Sequence, residues 1–244
     1  MQLPKFGLNR HDTSSVAAYA ADVARAEYSG WDSAFLPDSQ LRRRDTYVLL
    51  AAAAQATSDI TIGPLLTNPI TRHPSVTASS ISTIDELARG RTILGLGVGD
   101  TAVRFNALKP ASVAAIEAAV VTTRALLRGE SLEVGALRPA RLNHARDVPV
   151  WVAAQGPKNL RMAGRVADGV WIRVGRDPGN LRLAWDAVRA GLKDAHRSED
   201  EIRVGLIFHT AVSGDPVEAR LMGKAIAAGY YEYSHFLFER PGLA

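Results

Sequence analysis

The chain has 244 residues, 47% of them hydrophobic and 22% charged, with a formal net charge of +4 and no cysteine. That length buries a sizeable core without cross-links, and the missing thiols exclude disulfides, thiolate metal sites and a cysteine nucleophile. No apolar run approaches the roughly 18 residues of a membrane span, and the first residues lack the apolar stretch of a secretory signal, so a cytoplasmic protein without membrane contact is expected.

The positive charge does not point to nucleic acid. Basic residues are scattered, only Arg42-Arg43-Arg44 forms a run, and aromatic residues do not interleave with it. A nucleic-acid footprint is a clustered stripe.

A short apolar run, a turn and a capped amphipathic helix recur along the chain. Lys5 to Leu8 reads as the first strand. Asp12 or Thr13 can cap a helix carrying Val16, Ala20, Val23 and Ala24 on one face and ending at Gly30. Ser33 to Leu36 is the second strand, followed by Pro37-Asp38 and an alanine-rich helix from Asp45 to Ala56. The third strand opens at Ile60 and continues towards Leu66. Pro74 starts a helix whose Val76, Ile81, Ile84 and Leu87 form an apolar stripe stopped by Gly90. Thr92 to Leu96 is the fourth strand, and a helix from Ser112 to Arg128 follows a glycine-rich corner. Residues 130–148 are polar and proline-interrupted, with short strand pieces at most. Val148 to Ala153 is the fifth strand, with a helix from Pro157 to Ala167. Gly169 to Val174 is the sixth, with a helix from Asp177 to Ala195. Ile202 to Ala211 is the seventh, with a helix from Asp215 to Ala228.

Strict alternation of seven strand–helix units predicts an α/β fold with a parallel sheet and right-handed crossovers. Continuously apolar strands such as Val150 to Ala153 suit a sheet covered on both faces. Two architectures satisfy this pattern: an open doubly wound sheet and a closed barrel. No composition break marks a second domain, so residues 1–244 are read as one domain.

Four segments carry possible chemistry. Gly95-Leu96-Gly97-Val98-Gly99-Asp100 is no dinucleotide fingerprint, because Asp100 stands where a third glycine is required and the strand is the fourth rather than the first. It either lets a flat ligand approach a strand end or makes a tight turn in a crowded barrel. Ala154-Gln155-Gly156-Pro157-Lys158 joins a strand to a helix start, which is either an anion site or an ordinary turn. Thr67 to Pro74 forms a polar loop at the carboxyl end of the third strand, where parallel α/β folds place catalytic groups. His73 within it is either structural or functional. Asp38 lies at the carboxyl end of the second strand, and its structural alternative is capping or pairing with Arg42–Arg44. Serine-hydrolase, zinc-protease and P-loop motifs are absent, and the six histidines lack metal-ligand spacing. Polar carboxyl-end loops with few acid–base groups suit chemistry supplied by a bound organic cofactor.

At these residues the chain resembles the luciferase-like flavin and deazaflavin oxidoreductases, especially the methylenetetrahydromethanopterin reductase-like branch. The matching pieces run in order: Phe6-Gly7-Leu8, Phe35-Leu36-Pro37-Asp38, Gly63 to Pro74, Asp85 to Arg91, Gly95 to Val103, Leu108-Lys109-Pro110, Val150 to Lys158 and Ala163 to Gly169. The resemblance covers essentially the whole chain. It implies a (β/α)8 TIM barrel with the cofactor at the carboxyl ends of the strands, and a non-prolyl cis peptide at Leu65-Leu66 supporting the ring. It also implies Gly99 and Asp100 beside the ring, with Ala154, Gln155, Gly156, Pro157, Val174 and Gly175 around the ribityl phosphate. Asp38 is the implied proton-handling group, with Thr67 second. The implied reaction transfers hydride between coenzyme F420 and a small organic substrate. FMN-dependent monooxygenation and a non-catalytic paralogue are the alternatives. Family members continue beyond a seventh strand, so the eighth βα unit is expected to be missing here. A homodimer is expected, with Trp31 and Tyr47 available for its surface.

Overall fold

Local capping chemistry decides where most helices begin. Ser15 caps α1 (Val16–Tyr28) by accepting the Ala18 N–H at 3.0 Å, in place of the Asp12 or Thr13 that the sequence suggests. Asp45 caps α2 (Thr46–Ala56), His73 precedes Pro74 at the start of α3 (Pro74–Leu87), and Ser112 caps α5 (Val113–Leu127). Proline occupies the first turn of α6 (Pro157–Val166) and α7 (Pro178–Asp194), where its missing N–H costs no hydrogen bond. A four-residue helix α4 (Thr101–Arg104) and a 3₁₀ turn at Glu199–Glu201 are additions to the sequence reading, and α8 (Pro216–Ser234) runs past the expected Ala228. This computed structural model describes residues 3–9, 11–134 and 137–234, with backbone alone for 227–234.

Seven parallel strands follow one another in chain order. They are β1 (Gly7–Leu8), β2 (Ser33–Leu36), β3 (Thr61–Pro64), β4 (Leu94–Leu96), β5 (Val150–Ala154), β6 (Gly169–Ile172) and β7 (Arg203–Leu206). β1 and β7 are shorter than the sequence suggests, and Leu132 and Ala140 make only an antiparallel bridge in the 130–148 stretch.

The strands divide into ladders β1–β3 and β4–β7, joined by bridges at Ile62–Thr92 and Thr67–Leu96. Five steps along the third strand therefore oppose four along the fourth, leaving one extra residue between the bridges. That surplus is a bulge, and the cis peptide Leu65–Leu66 lies inside it, at the position the resemblance implies.

Alternation along each strand builds two apolar layers. Val150, Val152, Val170 and Ile172 point outward under the helices and belong to the main core with Leu160, Met162, Val188 and Leu192. The opposite face carries Trp151 and Trp171, which with Phe35 and Leu65 fill the space enclosed by the strands. The architecture is a (β/α) barrel with seven parallel strands among the described residues and no ladder between β1 and β7. No described helix is long and apolar enough to cross a membrane. Tyr47 is buried, so it forms part of the interior rather than a surface for a partner.

Candidate active site

The carboxyl ends of β1, β2 and β3 converge on the bulge. Asn9 donates its Nδ2 to the Leu65 carbonyl at 3.3 Å, and the Asp38 N–H donates to the Leu66 carbonyl at 3.2 Å. The Leu65 N–H donates back to Leu36 at 2.9 Å, while Thr67 rejoins β4 through its N–H to Gly95 at 2.9 Å. Both carbonyls of the cis pair are thus held from outside their own strand. Sequence reasoning missed Asn9, although its place directly after β1 was a signal.

Asp38 and Thr67 come together at this point, both buried, with Thr67 Oγ1 donating to Asp38 Oδ2 at 2.8 Å. The cationic partner of Asp38 is Arg72, whose Nε lies 3.1 Å from the same oxygen. Arg42–Arg44 do not pair with it. That run joins neighbouring loops instead: Arg42 stacks over Phe105 at 4.9 Å and Arg44 donates to the Thr13 carbonyl at 3.2 Å. Gln40 adds a hydrogen bond to the Ala102 carbonyl at 3.3 Å. The loops after β1, β2, β3 and β4 consequently form one connected rim.

Arg72 also pairs with Asp45 and sits over Tyr47, its Cζ 4.5 Å from the ring centroid. Burial opposes the charge on Arg72, but Asp38 and Asp45 together raise its pKa above the ordinary value. Burial likewise raises the Tyr47 phenol, and the nearby Asp38 adds to the effect, so the ring remains neutral. His73 is exposed and uses Nδ1 on Ser75, which is the structural reading of that residue.

The glycine corner makes room for the protein's own atoms. A Cβ on Gly95 would stand 2.4 Å from the Pro64 carbonyl and 2.9 Å from Trp171, and one on Gly97 would meet Leu66 at 2.7 Å. Gly99 has φ +75°, with Val103 and Asn68 filling the space beside it. Of the two readings of this segment, the crowded-barrel turn describes Gly95 and Gly97. The Asp100 side chain is exposed and pairs with Arg104 at 2.6 Å.

Gly156 differs from these. A Cβ there would meet nothing within 4 Å, and the same holds for Gly175, which has φ +72°. Gly156 caps α6 without a side chain, so no side chain competes for the N–H groups of the first turn. Asn159, in that turn, has its Oδ1 buried without a partner. The register Ala154–Ile172 brings the residues after β5 and β6 to the same carboxyl end, Gly156 two residues beyond Ala154 and Gly175 three beyond Ile172. Ala154 and Val174 direct their side chains into the outer core, while Pro157 is exposed. Open glycines and an uncapped helix start fit a phosphate-bearing cofactor.

Arg173 and His209 stand beyond β6 and β7, positions that the sequence reading left out, and the arginine carries the positive charge there. Burial and the neighbouring Arg173 lower the His209 pKa. An apolar cavity of about 300 Å³ lies elsewhere, on the helix side, lined by Ile172, Leu181, Trp185, Val204 and Leu206. Among the described residues no cluster of three or more His, Asp or Glu side chains could hold a metal ion.

Comparison with known proteins accords with this arrangement. Methylenetetrahydromethanopterin reductase from Methanolobus tindarius is 32% identical over 249 residues, covering 98% of this chain and 75% of that protein. A phthiodiolone/phenolphthiodiolone dimycocerosates ketoreductase from Mycobacterium tuberculosis is 33% identical over 214 residues, covering 82% and 56% respectively. The structure of coenzyme F420-dependent tetrahydromethanopterin reductase from Methanopyrus kandleri superposes with a TM-score of 0.81 at 27% identity, covering 97% of this chain and 73% of that one. Residues 2–240 match the luciferase-like monooxygenase family, and the chain belongs to it.

Proposed function

We propose that the protein is an oxidoreductase that transfers hydride between coenzyme F420 and a small organic substrate. The observation that carries this reading is the pairing of two features at one barrel mouth. One is the uncapped α6 start with open glycines at 156 and 175, and the other is the buried Asp38–Thr67 pair beside the bulge. The likeness to the coenzyme F420-dependent reductase of Methanopyrus kandleri supports the deazaflavin over FMN.

When bound, the deazaflavin supplies the two-electron chemistry that the side chains of the chain lack. The Leu65–Leu66 ledge, held by Asn9 and Asp38, gives the ring a fixed wall. The first-turn N–H groups of α6, with Gly156 and Gly175 leaving room, hold the phosphate through the helix dipole and direct hydrogen bonds. Gln155 and Pro157 would border that site, and Gly99 and Asp100, which follow β4, would be the residues nearest the ring on that side. Asp38 Oδ2 is occupied by Thr67 and Arg72, so Oδ1 is the acceptor left to take or return a substrate proton.

Titration with F420 and with FMN, followed by fluorescence and absorbance, tests the reading. Saturable F420 binding with weak FMN binding is expected. Tight FMN binding with none to F420 overturns the deazaflavin assignment in favour of flavin-dependent oxygenation. Binding without turnover across ketones, imines and alkenes supports a non-catalytic paralogue.

A further inference from the structure

We infer that Arg72 is a positioning residue, which fixes the Asp38 carboxylate at the barrel mouth by tying it to the N-terminus of α2. The inference rests on the reading of Asp38 as a group of the site. Asp38 lies in the irregular stretch between β2 and α2, where no ladder or helix holds it. Its side chain is only 3% exposed and that of Arg72 20%. Asp45 divides its oxygens between two duties. Oδ1 caps α2 through the N–H groups of Tyr47 and Val48, at 2.9 and 3.1 Å, and Oδ2 pairs with Arg72. A continuous chain of contacts therefore runs from the start of α2 through Asp45, Arg72 and Asp38 to the Leu66 carbonyl.

An exposed ion pair would contribute little and tolerate exchange. This guanidinium does what lysine cannot. Nε serves one carboxylate, the terminal nitrogen serves another at the start of α2, and Cζ sits over the Tyr47 ring. Removing it leaves the buried Asp38 carboxylate with Thr67 as its remaining side-chain donor among the described residues.

The test uses the full chain as wild type, Arg72→Lys, Arg72→Met, Asp38→Asn and the double variant Arg72→Met/Asp38→Asn. Without cofactor, Arg72→Met is expected to speed amide exchange at Asp38 and Thr67 about tenfold while Val152 and Val170 are unchanged. With cofactor, Arg72→Met and Arg72→Lys are both expected to weaken F420 binding about tenfold, and adding Arg72→Met to Asp38→Asn to change it less than about twofold. Lysine restoring wild-type binding, independent effects of the two substitutions, or unchanged exchange at Asp38 and Thr67 would each overturn the inference. If the wild type binds neither F420 nor FMN, the functional reading fails on that result alone, and the exchange measurement still decides whether Arg72 fixes Asp38.

Discussion

Gly169 on β6 and Trp151 on β5 face each other in register, and a Cβ added to the glycine would lie 2.2 Å from two atoms of the indole. The indole has little freedom to retreat, since its centroid stands 4.7 Å from that of Trp171, which in turn meets Phe35 edge-on at 5.2 Å. Gly169→Ala is therefore expected to destabilise the fold by about 1–3 kcal/mol through overpacking. Trp151→Leu should absorb part of that cost, giving a coupling of about 1 kcal/mol in a urea-denaturation double-mutant cycle. Strictly additive effects would show that the indole does not block the position.

Much of the architecture was legible because its causes are local. Asp45, Ser112, Asp177 and the prolines at 74, 157 and 178 announce helix starts within a few residues, and each helix begins there. Where two acceptors competed, Ser15 prevailed over Asp12, whose Oδ1 turns back to the Ser14 N–H instead. The site was less legible because its contacts are distant in sequence. Arg42–Arg44 lie nearer to Asp38 along the chain than Arg72, yet the barrel brings Arg72 across 34 positions to meet it. Spacing alone cannot show that Gly95 yields to Trp171, two strands away in the same sheet. The Leu65–Leu66 cis peptide was reached through family resemblance, since nothing in the local residue types specifies it.

Glu27 gives the fold a pH dependence on its acidic side. Its carboxylate, at the end of α1, accepts the N–H groups of Ser58, Asp59 and Ile60, the last at 2.8 Å. Burial favours the neutral acid, but these N–H groups outweigh it and lower the pKa below 4.5. With the folded pKa depressed, the stabilisation is complete above the unfolded value and is lost as pH falls through the folded one. Glu27→Gln is expected to cost about 1–2 kcal/mol at pH 7, discounted for partial exposure, and to have a smaller effect below pH 4. Melting temperatures of both proteins from pH 3 to 7 check this, and parallel curves would remove the carboxylate from the explanation.

Asp38 and Thr67 should separate chemistry from binding. Asp38→Asn keeps the shape and can still accept from Thr67, but loses the basic oxygen, so turnover is expected to fall on the order of 10²-fold or more. Thr67→Val removes one donor to Asp38 Oδ2 while Arg72 remains, and a loss of about tenfold is expected. Single-turnover rates with saturating reduced cofactor measure both. Wild-type rates in Asp38→Asn would assign the proton transfer to solvent or to another group.

Gly156 offers a substitution whose two effects have opposite signs. Its φ is −84° and ψ 148°, ordinary for an N-cap, and the space beside it is open. Aspartate fits there without strain and can accept from the first turn of α6, stabilising the fold by a few tenths of a kcal/mol relative to glycine. The same carboxylate would occupy the N–H groups assigned to the phosphate and repel its charge. Gly156→Asp is thus expected to raise the melting temperature slightly while weakening F420 binding at least about tenfold, and Gly156→Ser to do the first with much less of the second. Calorimetry and fluorescence titration on the same preparations read both quantities. If Gly156→Asp binds F420 as tightly as the wild type, the charged tail of the cofactor lies elsewhere, with the loop beyond β6 that carries Arg173 the next place to look.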